Sequence, residues 1–167
     1  VVTFSTTKSY EDICQNFKQI AEYTGNSTIA NQIINKQKLR LDSLKKSIPK
    51  GIKPKVFFEI GTKPIFTVMP NTFMDDFITF SGGVNVASDL IRGTITRESV
   101  LLRNPDVIII VTMGILGEEE RNGWASCNHL SAAKNKKIFI IDSDKACSPT
   151  PVTFIDVVEE LINMIYH

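Results

Sequence analysis

With 167 residues, 43% of them hydrophobic, the chain has the size and apolar content of one globular domain. A formal net charge of +1 excludes binding driven by bulk attraction to nucleic acid or to an anionic membrane. No run of about 18 apolar residues is present, so no transmembrane helix is expected.

The start, VVTFSTTKSY, has neither the basic region nor the apolar core of a signal peptide, and no initiator methionine. It reads as a trimmed piece of something longer. Val1–Ser5 alternates and is β-branched, which predicts a strand. Ser9 then opens a helix, with Asp12 three residues on in a near-capping-box arrangement. Ile13, Phe17, Ile20 and Ala21 share one face of that helix, and Gly25 stops it in the left-handed conformation. A second helix is expected from Asn26 to Ser47, with a stripe through Ala30, Ile33, Ile34, Leu41 and Leu44, ended by Pro49. It would be about 33 Å long.

From Ile52 the texture changes to alternating strand and helix. Val56–Ile60 reads as a strand and Gly61–Pro64 as a turn. Asn71 is the expected cap of a helix containing Phe73, Met74, Phe77 and Ile78, which Gly82 and Gly83 end. Thr96 caps a short helix that Asn104-Pro105 closes. Asp106–Val111 (DVIIIV) is a continuous apolar run of the kind buried on both faces of a parallel sheet. The run Glu118-Glu119-Glu120 reads as a solvated turn, and a helix is expected near Trp124–Lys134. Ile138–Ile141 is a further strand. Pro151 fits the first turn of a last helix capped by Thr150, with Ile155, Val158, Ile162 and Ile165 on its buried face. The alternation predicts an α/β fold: a three-layer αβα lobe with a mostly parallel sheet, Asp106–Val111 central, preceded by the long helix.

No catalytic constellation is present. The sequence lacks the Gly-rich dinucleotide turn, the P-loop and the hydrolase elbow. Three cysteines, Cys14, Cys127 and Cys147, are too few and odd in number for a disulfide scaffold. Together with His129 and His167 they do not supply four well-spaced zinc ligands, so buried or loop thiols are expected and no metal or cofactor is assigned. Binding features are better marked. Ligands of open α/β sheets sit beyond the carboxyl ends of the strands. Three such ends carry distinctive loops: Gly61–Pro64 followed by Phe66, Thr112-Met113-Gly114, and Ser143–Pro151. In the last, each proline pushes the residue before it toward extended geometry, so Ser148 and Thr150 are expected to be held straight in a stiff loop. Such a loop serves equally as plain punctuation before a helix. Glu59, in an otherwise apolar strand, needs a polar outlet, and the ordinary expectation is a rim position.

Several ordered runs carry a family resemblance. FTVMPNTFMDDFITFSGGVNVASD (residues 66–89), ITRESVLLRNPDVIIIV (residues 95–111), and the segment from Trp124 through AAKN to KIFIID (residues 124–142) together resemble the helical-backbone substrate-binding proteins of ABC importers. That family binds cobalamin, ferric siderophores and haem between two α/β lobes joined by a long helix. The resemblance implies residues 1–50 as interlobe strand and linker helices and residues 51–167 as a carboxy-terminal lobe, the amino-terminal lobe being absent. It implies a non-enzymatic transport component, periplasmic or at the cell surface and lipid-anchored in full length, which docks on a membrane permease. Its implied ligand is an iron–siderophore, haem or cobalamin, held by Lys63, Phe66, Thr112, Met113, Cys147, Ser148 and Thr150. Glu98 would face the permease, matching a family glutamate that pairs with permease arginines. The loop before the last helix carries no arginine where many siderophore-binding relatives have one. A lone lobe would hold ligand weakly and tend to self-associate. The alternative is a metallocluster protein of the nitrogenase type on a similar fold, for which Cys127 and Cys147 are the only candidate ligands in this lobe.

Overall fold

The computed structural model of the protein describes residues 3–4, 6–51, 53–112 and 115–167, with backbone alone at 112, 115 and 116. Two helices come first, α1 (Tyr10–Tyr23) and α2 (Ser27–Ser47). The predicted capping box at the start of α1 is present, Ser9 accepting from the Asp12 amide while Asp12 accepts from the Ser9 amide. Gly25 takes the left-handed conformation expected of it (φ 72°). α2 is one unbroken helix of 21 residues, about 31 Å long. Of the strand expected at Val1–Ser5, Val1, Val2 and Ser5 lie outside the described residues, and Thr3 and Phe4 are exposed and in no regular element.

The remainder builds the layered sheet. Strands β1 (Lys55–Thr62), β4 (Val107–Thr112) and β5 (Ile138–Asp142) run parallel in adjacent positions. The short β3 (Val84–Asn85) is parallel to the start of β1, and β2 (Ile65–Thr67) returns antiparallel along its end. β4 therefore lies inside the sheet, between β1 and β5, as its unbroken apolar run requires. One face packs on α1, α2, α3 (Phe73–Phe80) and α8 (Pro151–Tyr166), through Val56, Phe58, Phe77, Val107, Ile109 and Phe154. The other face packs on α4 (Arg97–Arg103), α5 (Ile115–Ala125) and α6 (Ser131–Lys134), through Phe57, Ile108, Ile110, Val100, Trp124 and Leu130. Alternate residues of each strand thus feed opposite cores, the two-residue period of a sheet covered on both sides.

Four local expectations are not met. Thr72, not Asn71, caps α3: Asn71 takes a left-handed turn (φ 60°), which places the Thr72 hydroxyl to accept from the Asp75 amide. The acidic run lies inside α5 and not in a turn, because Glu120 meets Arg97 of α4 and Glu118 meets Arg121. The helix expected over Trp124–Lys134 is two pieces, α5 ending at Ala125 and α6 beginning at Ser131. Glu59 is fully buried and not at a rim, its polar outlet being the indole N–H of Trp124 at 2.7 Å.

Candidate functional site

Just beyond the carboxyl end of β5 the chain turns through α7 (Ser143–Cys147), a short helix where a loop was expected. Its cap is Asp142, whose carboxylate accepts from the Asp144 amide at 2.7 Å. Ser148 closes α7 with φ −124° and ψ 58°, short of the fully extended geometry expected before Pro149. Thr150 is extended as expected (φ −101°, ψ 170°) and caps α8, its hydroxyl accepting from the Thr153 amide at 3.1 Å. Pro151 fills the first helical position, where a missing N–H costs nothing.

Between this junction and α1 lies an open cavity of about 280 Å³. Cys147, Pro149, Thr150 and Pro151 form one wall, and Ile13, Asn16, Phe17 and Ile20 of α1 form the other, with Thr7 and Phe73 completing the lining. Two contacts hold α1 in place there. The Tyr10 hydroxyl donates to the Pro151 carbonyl at 3.4 Å, and the Tyr10 amide donates to the Asp76 carboxylate of α3 at 2.8 Å. Across the floor, Asn16 donates to the Thr7 hydroxyl at 3.3 Å. The walls are mostly carbon, with the hydroxyls of Thr7 and Thr150, an amide and a thiol as the polar side-chain points. Burial and then the nearby Asp144 carboxylate push the Cys147 thiol up, so at neutral pH it offers S–H rather than thiolate. Phe17 and Ile20 also border an apolar groove between α1 and α2, where Ile20 and Ile29 stand exposed.

Among the sequence-predicted site residues, Cys147 and Thr150 meet in the cavity, and Ser148 is exposed between them. Lys63 lies elsewhere, beside the cis Lys63–Pro64 bond, in a small depression shared with Thr62, Glu119 and Glu120. Phe66 sits on edge strand β2, 43% exposed, opposite Gly61 of β1 in the antiparallel register. Met113 and the side chain of Thr112 lie outside the described residues. Glu98 is exposed in the first turn of α4, where the helix dipole favours a carboxylate. The cavity's α1 wall was not singled out as a site. Its signal was the stripe Ile13, Phe17, Ile20, which leaves Phe17 part-buried and Ile20 exposed beyond what α2 covers. Among the described residues, no group of three or more His, Cys, Asp or Glu is placed to hold a metal ion.

Comparison with known proteins places this geometry in a family. Residues 1–145 match the family described as periplasmic binding protein. The vitamin B12-binding protein of Vibrio cholerae serotype O1 is 25% identical over 159 residues, which are 94% of this chain and 56% of that protein. The chain thus spans little more than half the length of such relatives. Among solved structures, a possible iron-binding (periplasmic solute-binding) protein from Staphylococcus epidermidis superposes with a TM-score of 0.85 at 27% identity, covering 100% of this chain and 66% of that one. The periplasmic haem-binding protein HutB of Vibrio cholerae shares the fold at a TM-score of 0.84 and 18% identity, over 99% of this chain and 67% of that one. Matched by the family model over most of its length and folded as the related lobes are, the chain belongs to the periplasmic binding protein family.

Proposed function

We propose that the chain forms the carboxy-terminal lobe, residues 51–167, and the linker helices, within residues 1–50, of the solute-binding component of an ABC importer. Its ligand is a metal chelate: an iron–siderophore, haem or cobalamin. The observation that carries this reading is family membership combined with an open, mostly apolar cavity at the carboxyl end of the parallel sheet, where α/β folds place ligands. A carbon-rich wall suits the broad face of a porphyrin, corrin or hydroxamate chelate, and the Thr150 and Asn16 polar atoms suit its rim. No step of chemistry is asked of the protein; it captures and delivers. Lys63 and Phe66 lie outside the cavity, in the turn after β1 and on β2, and serve a ligand large enough to reach them. Glu98 presents its carboxylate to a membrane permease, and the component resides in the periplasm or at the cell surface on a lipid anchor. The named relatives are binding proteins, which favours transport over the metallocluster alternative.

Equilibrium titration of the protein with haemin, aquocobalamin and a ferric hydroxamate tests the reading. Saturable binding of one of the three, weakened when Thr150 is replaced by tryptophan to fill the cavity, is the expected result. Binding that ignores Thr150→Trp assigns the ligand to another surface.

A further inference from the structure

Outside the cavity, the described residues hold one buried carboxyl group that the binding reading does not use. Glu59 lies in β1 with no exposed surface. Its Oε2 accepts from Trp124 Nε1 at 2.7 Å, while its Oε1 has no hydrogen-bond partner. The strands on either side bring no charge. Ile110 of β4 is apolar, and the Thr67 hydroxyl of β2 already donates to the Phe58 carbonyl at 2.8 Å. Of the charged residues on the helices over this face, one cation, Arg97, and one anion, Glu120, act on Glu59. Arg97 of α4 lies 4.0 Å from the centre of the Trp124 ring, and Glu120 of α5 is its ion-pair partner. Phe57 braces the indole edge-on, with ring centres 5.9 Å apart.

This arrangement holds two carboxyl groups and a single guanidinium. With Glu59 protonated, Arg97 belongs to Glu120 and the stack on Trp124 is undisturbed. With Glu59 ionised, a buried charge faces Glu120, and Arg97, the described cation that acts on Glu59, is already engaged, while Lys63 lies in the outer depression with Glu119 and Glu120. Burial, the largest influence, raises the Glu59 carboxyl to about 7; the Trp124 N–H opposes this, Glu120 adds to it and Arg97 opposes it. The proton therefore comes and goes near neutrality.

We propose that Glu59, Trp124, Arg97 and Glu120 form a proton-operated latch that fixes α5 on the sheet, closed while Glu59 carries its proton and loosened when Glu59 ionises and competes with Glu120 for Arg97. α5 starts three residues after β4 ends, so the latch acts on the helix that leaves the carboxyl end of the central strand. The latch stands independently of which ligand the cavity takes.

Trp124 is the only tryptophan in the chain, so its fluorescence reads the latch directly. Across neutrality the wild-type emission should pass through one sigmoidal transition. Glu59→Gln, whose amide oxygen still accepts from the indole, should abolish it. Removing the cation by Arg97→Gln should move the midpoint to higher pH, and removing the competing anion by Glu120→Gln should move it lower. These two shifts decide the matter if Glu59→Gln does not fold. Imidazole is the other side chain that ordinarily changes charge in this range, and exposed His129 lies five residues beyond Trp124. His129→Gln should leave the transition intact. A wild-type emission without a transition, a transition that survives Glu59→Gln or vanishes in His129→Gln, or unmoved or reversed midpoints in the two charge variants would each overturn the latch.

Discussion

Glu59 binds its proton more tightly in the folded chain than in the unfolded one, because burial penalises its charged form. The sign of the resulting pH dependence follows. Between the ordinary value of 4.5 and the raised value of about 7, the folded chain holds a proton that the unfolded chain has released. Stability therefore falls as pH rises through that window and levels off above it, a loss of about 3 kcal/mol from this group. Urea unfolding at the two ends of the window should show the decline in the wild type and a flatter response in Glu59→Gln. The pairing itself was illegible in the sequence. No spacing rule joins residues 65 apart, and only an isolated glutamate in an apolar strand hinted that a donor had to exist. Thr150 is the opposite case: its cap, its proline and its helix are neighbours in sequence, so local chemistry alone specifies them.

Among the elements, those defined by periodicity and punctuation were readable and those defined by contact were not. β4 announces itself through DVIIIV, and α8 through its four-residue stripe. α7, with the sequence SDKAC, has too few residues to show a period, and it forms because Asp142 caps it and Ala146 is buried against the core. α5 conceals its acidic run because the partner of Glu120 is on α4. The glycine pair after α3 was read as a stop signal, and its second member also has a packing role. A Cβ at Gly83 would stand 2.7 Å from Val56 Cγ2 and 3.2 Å from Ile78 Cγ2. Gly83→Ala should thus cost about 1–3 kcal/mol through overpacking, measured as a lowered urea midpoint with unchanged slope. A neutral or stabilising result would mean that the junction of α3 and β3 yields more freely than its close contacts imply.

For the whole molecule, the layered architecture was legible and the lining of the candidate cavity only in part. Cys147 and Thr150 emerged because a strand-to-helix loop was singled out; the α1 wall did not, since nothing local says which helix folds back over a strand end. A cavity of 280 Å³ lies just under the range of about 300–1,000 Å³ typical of small-molecule sites. A porphyrin or corrin would therefore be covered on one side only. If an intact two-lobed protein binds at about 1 nM, or about −12 kcal/mol, half of that energy corresponds to a dissociation constant of tens of micromolar. The exposed Ile20, Tyr23 and Ile29 on α1 and α2 should favour self-association, visible as a concentration-dependent rise in sedimentation coefficient and reduced by Ile29→Lys. Glu98 belongs to the same scale. A rim charge governs orientation and encounter more than affinity, so Glu98→Ala should slow uptake in cells bearing the complete transporter while leaving chelate affinity unchanged.

The central claim, that a chelate lies against the junction of β5, α7 and α8, is open to a direct footprint. Cys147 lines the cavity and is exposed, whereas Cys14 is fully buried and Cys127 partly so. Alkylation of each thiol, followed by mass spectrometry under mildly alkaline conditions, should therefore distinguish the three. Haemin, aquocobalamin or a ferric hydroxamate should slow the modification of Cys147, with half-protection at tens of micromolar and the Cys127 rate unchanged. A chelate that binds without protecting Cys147, or a Cys147 rate that none of the three alters at millimolar concentration, would contradict the account.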